Sequence, residues 1–148
     1  MKTVIFSDTH LKFKENAEDK QRRQKVSAVL ESLKNNTDLL IINGDFFDLW
    51  VAWKHVIIKE YFPILMKLAE LVNSGTRIVL IAGNHDFWFN DFLSDQIGIE
   101  ICKDSFIENT KNGLCKSPNK LRRELLEETL EVFPLNENDG KLYGAIQK

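Results

Sequence analysis

The stretch Leu39-Leu40-Ile41-Ile42-Asn43-Gly44-Asp45-Phe46-Phe47-Asp48 is a run of strand-forming apolar residues that stops abruptly at a glycine and a carboxylate. Taking an unpaired carboxylate out of water costs several kcal/mol, so Asp45 at the mouth of a buried strand calls for a cation, a cluster of hydrogen bonds or solvent. A bound metal ion would satisfy it. Two further runs end the same way: Thr3-Val4-Ile5-Phe6 leads into Ser7-Asp8-Thr9-His10, and Ile78-Val79-Leu80-Ile81-Ala82 leads into Gly83-Asn84-His85-Asp86. Runs that are continuously apolar, instead of alternating, mark strands buried on both faces of a parallel sheet. Ligands of open α/β sheets sit beyond the carboxyl ends of the strands, so ends carrying Asp, His and Asn predict one shared site.

The intervening segments supply the crossovers. Residues 19–35 carry Val26, Val29, Leu30 and Leu33 at helical spacing, with Lys20, Arg22, Arg23 and Lys25 on the solvated side. Residues 50–73 read as mostly helical on a face of Ile57, Ile58, Tyr61, Phe62, Leu65, Leu68, Ala69 and Val72, with Pro63 imposing either a kink or a loop followed by a helix. A short helix follows to Ile97, stopped by Gly98, then a strand over 100–107 and a hairpin turn at Asn112-Gly113. The order β-α-β-α-β predicts an α/β fold with a parallel sheet and right-handed crossovers. Ser117-Pro118 reads as the start of a helix bearing Leu121, Leu125, Leu126, Leu130 and Phe133 and ended by Pro134, and residues 136–148 read as a mobile polar tail. The division expected is a main portion over 1–110 and a hairpin, helix and tail over 111–148, in the same domain or appended to it.

A chain of 148 residues with 43% apolar and 28% charged residues has the composition of one ordinary soluble domain. A net charge of −2 provides no basic field and argues against nucleic acid as a partner. Cys102 and Cys115 form no paired motif, which suits a reduced, cytoplasmic setting. The chain enters a strand at Lys2 with no apolar leader, and no uncharged run approaches the roughly 20 residues that span a bilayer. The expectation is a soluble protein, with peripheral contact with a membrane left open.

Asp8 and His10, if the chain stays extended past the first strand, point to one side and make half a shell for a divalent transition metal. Asp45 has oxygens for two ions, and the neutral carbonyl of Asn84 suits a borderline ion such as Mn²⁺. His85 then points away from Asn84, toward whatever is bound above the ions. Asp48 caps a following helix, orients a neighbour in the site, or does both. Asp86 is a candidate turn former, and His55 a surface histidine. Phe46, Phe47, Trp50, Trp53, Phe87, Trp88 and Phe89 concentrate near the mouth, as core and rim packing or as a surface for a lipid-bearing or nucleoside substrate.

Asp8-Thr9-His10, Gly44-Asp45-Phe46-Phe47-Asp48 and Gly83-Asn84-His85-Asp86, each just past a buried strand, resemble the first three signature blocks of the calcineurin-like metallophosphoesterases. Phe6-Ser7-Asp8-Thr9-His10-Leu11, Asp45-Phe46-Phe47-Asp48-Leu49-Trp50 and Asp86-Phe87 are similar to the branch that contains UDP-2,3-diacylglucosamine diphosphatase. The resemblance covers Met1 to about Ile107. It implies that Asp8 and His10 hold a first divalent ion, that Asp45 bridges, and that Asn84 binds a second ion and touches the substrate phosphate. His85 would donate a proton to the leaving oxygen, with Asp48 orienting it. The implied reaction is hydrolysis of a phosphoester or pyrophosphate bond in a phosphorylated small molecule or nucleotide-lipid, by water activated at a centre of two divalent ions, Mn²⁺ the leading choice. Members of the family carry further histidines in a second half and a two-sheet core, whereas this chain has His10, His55 and His85 and strands mainly for one sheet. The expected fold is therefore a partial metallophosphoesterase fold, its second sheet missing or incomplete, with self-association through uncovered sheet surface. The alternative is a truncated, catalytically impaired metal-binding domain acting through association with another chain.

Overall fold

The computed structural model describes residues 2–14, 16–53, 55–86 and 88–103 in full and the backbone of 105–110, 113–118, 131–134 and 143–146. The chain runs β1 (Thr3–Ser7), α1 (Ala17–Leu33), β2 (Leu39–Asn43), a short hairpin of β3 (Ala52–Trp53) and β4 (Val56–Ile57), α2 (Phe62–Asn73), β5 (Arg77–Ile81), β6 (Glu100–Cys102), β7 (Ser105–Thr110), β8 (Gly113–Pro118), β9 (Glu131–Pro134) and β10 (Tyr143–Ile146). One sheet has the order β6-β5-β2-β1-β10-β9, in which β6, β5, β2 and β1 are parallel. This is the α/β arrangement that the apolar runs predict.

Strand alternation sends one set of side chains to each face. Val4, Phe6, Leu40, Ile42, Ile78 and Leu80 join Val26 and Leu30 of α1 and Ile64, Leu65 and Leu68 of α2 in one large core. Ile5, Leu39, Ile41, Val79 and Ile81 form a second buried cluster on the other face. Full burial of each such aliphatic side chain stabilises the fold by about 1.5–3 kcal/mol, which is why these runs tolerate no polar interruption. The parallel register pairs Phe6 with Ile42 and Ile42 with Leu80. Three strands therefore finish level, and the segments after Ser7, Asn43 and Ile81 leave from one edge.

Several expectations differ from what the chain does. In residues 50–73 the second of the two expected forms is what occurs, a non-helical stretch followed by a helix, with the difference that the first part is a β-hairpin and a 3-10 turn (Lys59–Tyr61); α2 begins at Phe62 with Pro63 in its first turn, where a missing N–H costs nothing. His55 is exposed in the hairpin turn. The short helix is a π-helical turn (Leu93–Ile97) that Gly98 ends at φ 86°. The strand over 100–107 is split into β6 and β7, and β7 pairs with β8 as a hairpin in which Thr110 faces Gly113; Asn112 lies outside the described residues.

The helix expected from Ser117-Pro118 to Phe133 is contradicted at both ends, because Pro118 ends strand β8 and Phe133 lies in strand β9. Leu121, Leu125, Leu126 and Leu130 lie outside the described residues. Part of the expected tail is a strand, since β10 pairs antiparallel with β1 and with β9. The free edge of β1 supplies the physical reason: its unpaired N–H and C=O groups are a template for any extended segment. No helix among the described residues is long and apolar enough to cross a membrane.

Candidate metal centre

Past the ends of β1 and β2 the backbone turns left-handed. Asp8 has φ 54°, His10 φ 42°, Gly44 φ 75° and Asp45 φ 51°. The extended continuation expected for Asp8 and His10 is thus replaced by a tight turn, and their convergence comes from that turn instead of from strand alternation. A non-glycine residue held there costs about 1 kcal/mol, and such strain persists only where its surroundings over-determine it. Here they do. Asp8 N donates to Gly44 O (3.3 Å), His10 N to Asp45 O (2.9 Å), Leu11 N to Phe46 O (2.9 Å) and Asp48 N to Leu11 O (3.0 Å). Buried Thr9 adds its hydroxyl to Phe46 O at 2.6 Å. The parallel pairing of β1 with β2 is in effect carried on through both loops.

The third loop is locked by Asp86, which is 0% exposed. Its Oδ1 accepts from Gly83 N and Asp45 N, both at 3.0 Å, and its Oδ2 from Phe46 N (2.7 Å) and Phe47 N (3.1 Å). Burial pushes this carboxyl above the ordinary range, while the N–H groups of Phe47, Gly83, Asp45 and Phe46 pull it back down. The sequence reading as a turn former missed this role, although a buried-strand end followed by a carboxylate three residues after a glycine was its signal. Gly83 is required by contact: a Cβ there would lie 2.3 Å from both Asp45 N and Asp45 Oδ1.

The loops bring together two groups of donors. Ligand atoms of Asp8, His10 and Asp45 lie within 4.8 Å of one another, as do those of His10, Asp48 and His85. His10 belongs to both, with Nε2 3.9 Å from Asp8 Oδ1 and Nδ1 3.7 Å from Asp48 Oδ1. Asp48 Oδ1 is also 3.7 Å from His85 Nδ1, so its carboxylate stands between the two imidazoles. Their rings meet edge to face at 4.6 Å between centroids. His85 is held by its backbone N–H, which donates to Asp45 Oδ1 at 2.9 Å, and by Nδ1, which lies 3.2 Å from the Asp48 carbonyl. A carbonyl only accepts, so that contact puts the proton on Nδ1 and leaves Nε2 facing out. Asn84 is exposed, between Gly83 and His85.

Carboxylates and imidazoles in groups of three, at the mouth of a sheet and rigidly backed, are a donor set that fits divalent metal ions. Capping by Asp48 is overturned, because no helix starts until Lys59 and Asp48 instead faces His10 and His85. The solvated face expected for α1 is also corrected in part. Arg22 donates to His10 O (3.3 Å) and Arg23 to Lys12 O (2.6 Å), so both brace the loop that carries Asp8 and His10.

Of the aromatic residues near the mouth, Phe46, Phe47 and Trp50 are buried core, whereas Trp53 and Trp88 are 70% and 75% exposed. Phe87 lies outside the described residues. Beside the hairpin, a groove of about 740 Å³ is lined in part by Trp53, His55, Val56, Ile57, Asn90 and Phe92.

A family model described as Calcineurin-like phosphoesterase matches residues 1–145. The UDP-2,3-diacylglucosamine hydrolase of Porphyromonas gingivalis is 31% identical over 100 residues, covering 68% of this chain and 38% of that protein. That of Azotobacter vinelandii is 31% identical over 107 residues, covering 70% of this chain and 41% of that protein. The chain thus spans about two fifths of the length of these curated relatives. With the family match running from residue 1 into β10 and the three blocks joined at one sheet edge, the chain belongs to the calcineurin-like phosphoesterase family.

Proposed function

We propose that the chain hydrolyses phosphoester or pyrophosphate bonds at a divalent metal centre. The observation that carries this reading is the convergence of Asp8, His10 and Asp45, in strained backbone, on one spot beside Asp48 and His85. Asp8, His10 and Asp45 would hold a first ion, and Asp45 with Asn84 a second. The mix of carboxylate, imidazole and amide oxygen favours Mn²⁺ or a similar borderline ion. When bound, such ions supply Lewis-acid polarisation of the phosphoryl oxygens and activation of the attacking water.

The chain's own residues do the rest. Asp48 draws the Nδ1 side of His10 toward itself, which leaves Nε2 on the side of Asp8 and Asp45 and fixes the ring's orientation. The Asp48 carbonyl holds Nδ1–H of His85, so the proton for the leaving oxygen would come from Nε2 of the imidazolium, the doubly protonated ring, which returns to the Nδ1–H form after giving it. Asn84 offers its amide to the phosphate. The relatives' printed name and the exposed Trp53, Trp88, Val56 and Leu49 favour a nucleotide-lipid pyrophosphate as the substrate.

The test is hydrolysis of bis-p-nitrophenyl phosphate with added Mn²⁺. Wild type is expected to release p-nitrophenolate only with metal, and Asp45→Asn to lose at least about a hundredfold in rate, since that change removes charge from the bridging position. Absence of metal-dependent release at micromolar enzyme overturns the reading. The chain has three histidines where family members carry further ones in a second half, and His55 stands exposed in the hairpin turn, which favours a second reading in which the chain binds metal but turns over only with another chain. Mn²⁺ binding without release would assign it to that class.

A further inference from the structure

Tyr61 is 0% exposed and contributes no atom to the donor groups, yet its hydroxyl lies 2.8 Å from Leu11 O and 3.1 Å from Leu49 O. Leu11 follows His10, and Leu49 follows Asp48. The two carbonyls therefore belong to the two loops whose side chains meet at 3.7 Å, His10 Nδ1 to Asp48 Oδ1. One phenolic proton is shared between them, so the hydroxyl adds a second tie between the loops beside the direct bond from Asp48 N to Leu11 O.

That oxygen is itself immobile. Tyr61 ends the 3-10 turn that leads into α2, and Ile64, Leu65 and Leu68 of α2 are fixed in the main core. Its ring packs 4.6 Å from that of Phe47 and stacks with Trp50 at 6.3 Å. Burial raises the phenol's pKa, which favours the protonated hydroxyl that donates to the carbonyls. Packing needs only the ring, which phenylalanine would supply. The hydroxyl has a separate job, and the two carbonyls it reaches are main-chain groups beside the candidate site.

We propose that Tyr61 is a positioning residue of the metal centre, its hydroxyl bracing the His10 loop against the Asp48 loop beside their direct backbone bond. This rests on the metal-centre reading above. Groups that orient ligands typically change metal affinity by about 10–100-fold when removed. Tyr61→Phe keeps the ring in its aromatic cluster and removes only the hydroxyl's two bonds, with Leu11 O still accepting from Asp48 N.

The experiment measures Mn²⁺ affinity by titration calorimetry and the visible absorption of the Co²⁺-loaded protein, for wild type, Tyr61→Phe and Leu68→Val. Leu68 lies in the same core but touches neither carbonyl by hydrogen bond, and urea unfolding of each variant gives the accompanying loss of stability. The expected result is a loss of about tenfold or more in Mn²⁺ affinity and an altered Co²⁺ band for Tyr61→Phe, with both unchanged for Leu68→Val. Affinity within about twofold of wild type and an identical Co²⁺ spectrum for Tyr61→Phe would overturn the proposal while leaving the metal centre intact. An equal loss in Leu68→Val would also overturn it, as general loosening. If wild type binds neither ion, the metal-centre reading itself fails, and this role of Tyr61 with it.

Discussion

Replacing Asp86 by asparagine should unfold much of what the sheet edge supports, although the change is isosteric. The carboxylate, fully buried, accepts four backbone N–H groups, two on each oxygen. Asparagine has one oxygen and one NH₂, so in either orientation two N–H groups lose their acceptor and face other hydrogens. Each buried donor left unpaired costs about 1–3 kcal/mol, or about 2–6 kcal/mol for the pair. Part is recovered, because burial already disfavours the charged carboxylate and the amide carries no charge. The net expectation is a loss of about 2–4 kcal/mol, a large share of the roughly 5–15 kcal/mol that holds a domain together. Asp86→Ala strands all four donors and should cost more. Urea unfolding followed by tryptophan fluorescence reads both, since Trp50 is buried against Phe47 and near Phe92. Asp86→Asn within about 0.5 kcal/mol of wild type, or Asp86→Ala no worse than Asp86→Asn, would refute the reasoning.

Gly83→Ala should abolish metal binding with the sheet still formed, because the new methyl occupies the space of Asp45 N and Oδ1; calorimetry with Mn²⁺ alongside circular dichroism checks it, and unaltered affinity would count against the close approach. The Arg77 guanidinium, bonded to both carboxylate oxygens of Glu100 at 2.6 and 2.8 Å, ties β5 to β6 and holds that carboxyl below its ordinary value near 4.5. A depressed folded-state pKa contributes stability that is present above the unfolded value and lost as pH falls through the folded one. Glu100→Gln should therefore cost up to about 1 kcal/mol at pH 7, since the pair is half exposed, and nothing once the pH is well below the lowered pKa. A cost that is the same at both pH values would contradict this.

The strands were legible because burial on both faces leaves no choice but a continuous apolar run, as in Leu39–Asn43, which is buried throughout. The residues of the candidate centre were legible for a related reason: a carboxylate or imidazole directly after such a run has nowhere cheap to go. Their geometry was not. Nothing in Asp8-Thr9-His10 announces a left-handed turn, because the bonds that hold it come from Gly44, Asp45 and Phe46, remote in sequence. Asp86 was underread for the same reason, since three of its four donors lie about forty residues earlier.

Residues 50–61, expected as helix up to a kink or as a loop before the helix, form a hairpin and a 3-10 turn. Their apolar positions suit a helix, but Phe47, Trp50 and Tyr61 pack as one aromatic cluster that the intervening hairpin must span. Beyond 116 the spacing of leucines argued for a helix up to Pro134. The backbone of 131–134 instead pairs with β10, and β10 with the open edge of β1, a partner that local periodicity cannot see.

The convergence of Asp8, His10 and Asp45 is tested most directly by anomalous diffraction from crystals soaked in Mn²⁺. A metal peak bounded by Asp8, His10 and Asp45 is the predicted result. Saturating Mn²⁺ with no peak there, or a peak only at some other surface, would contradict it.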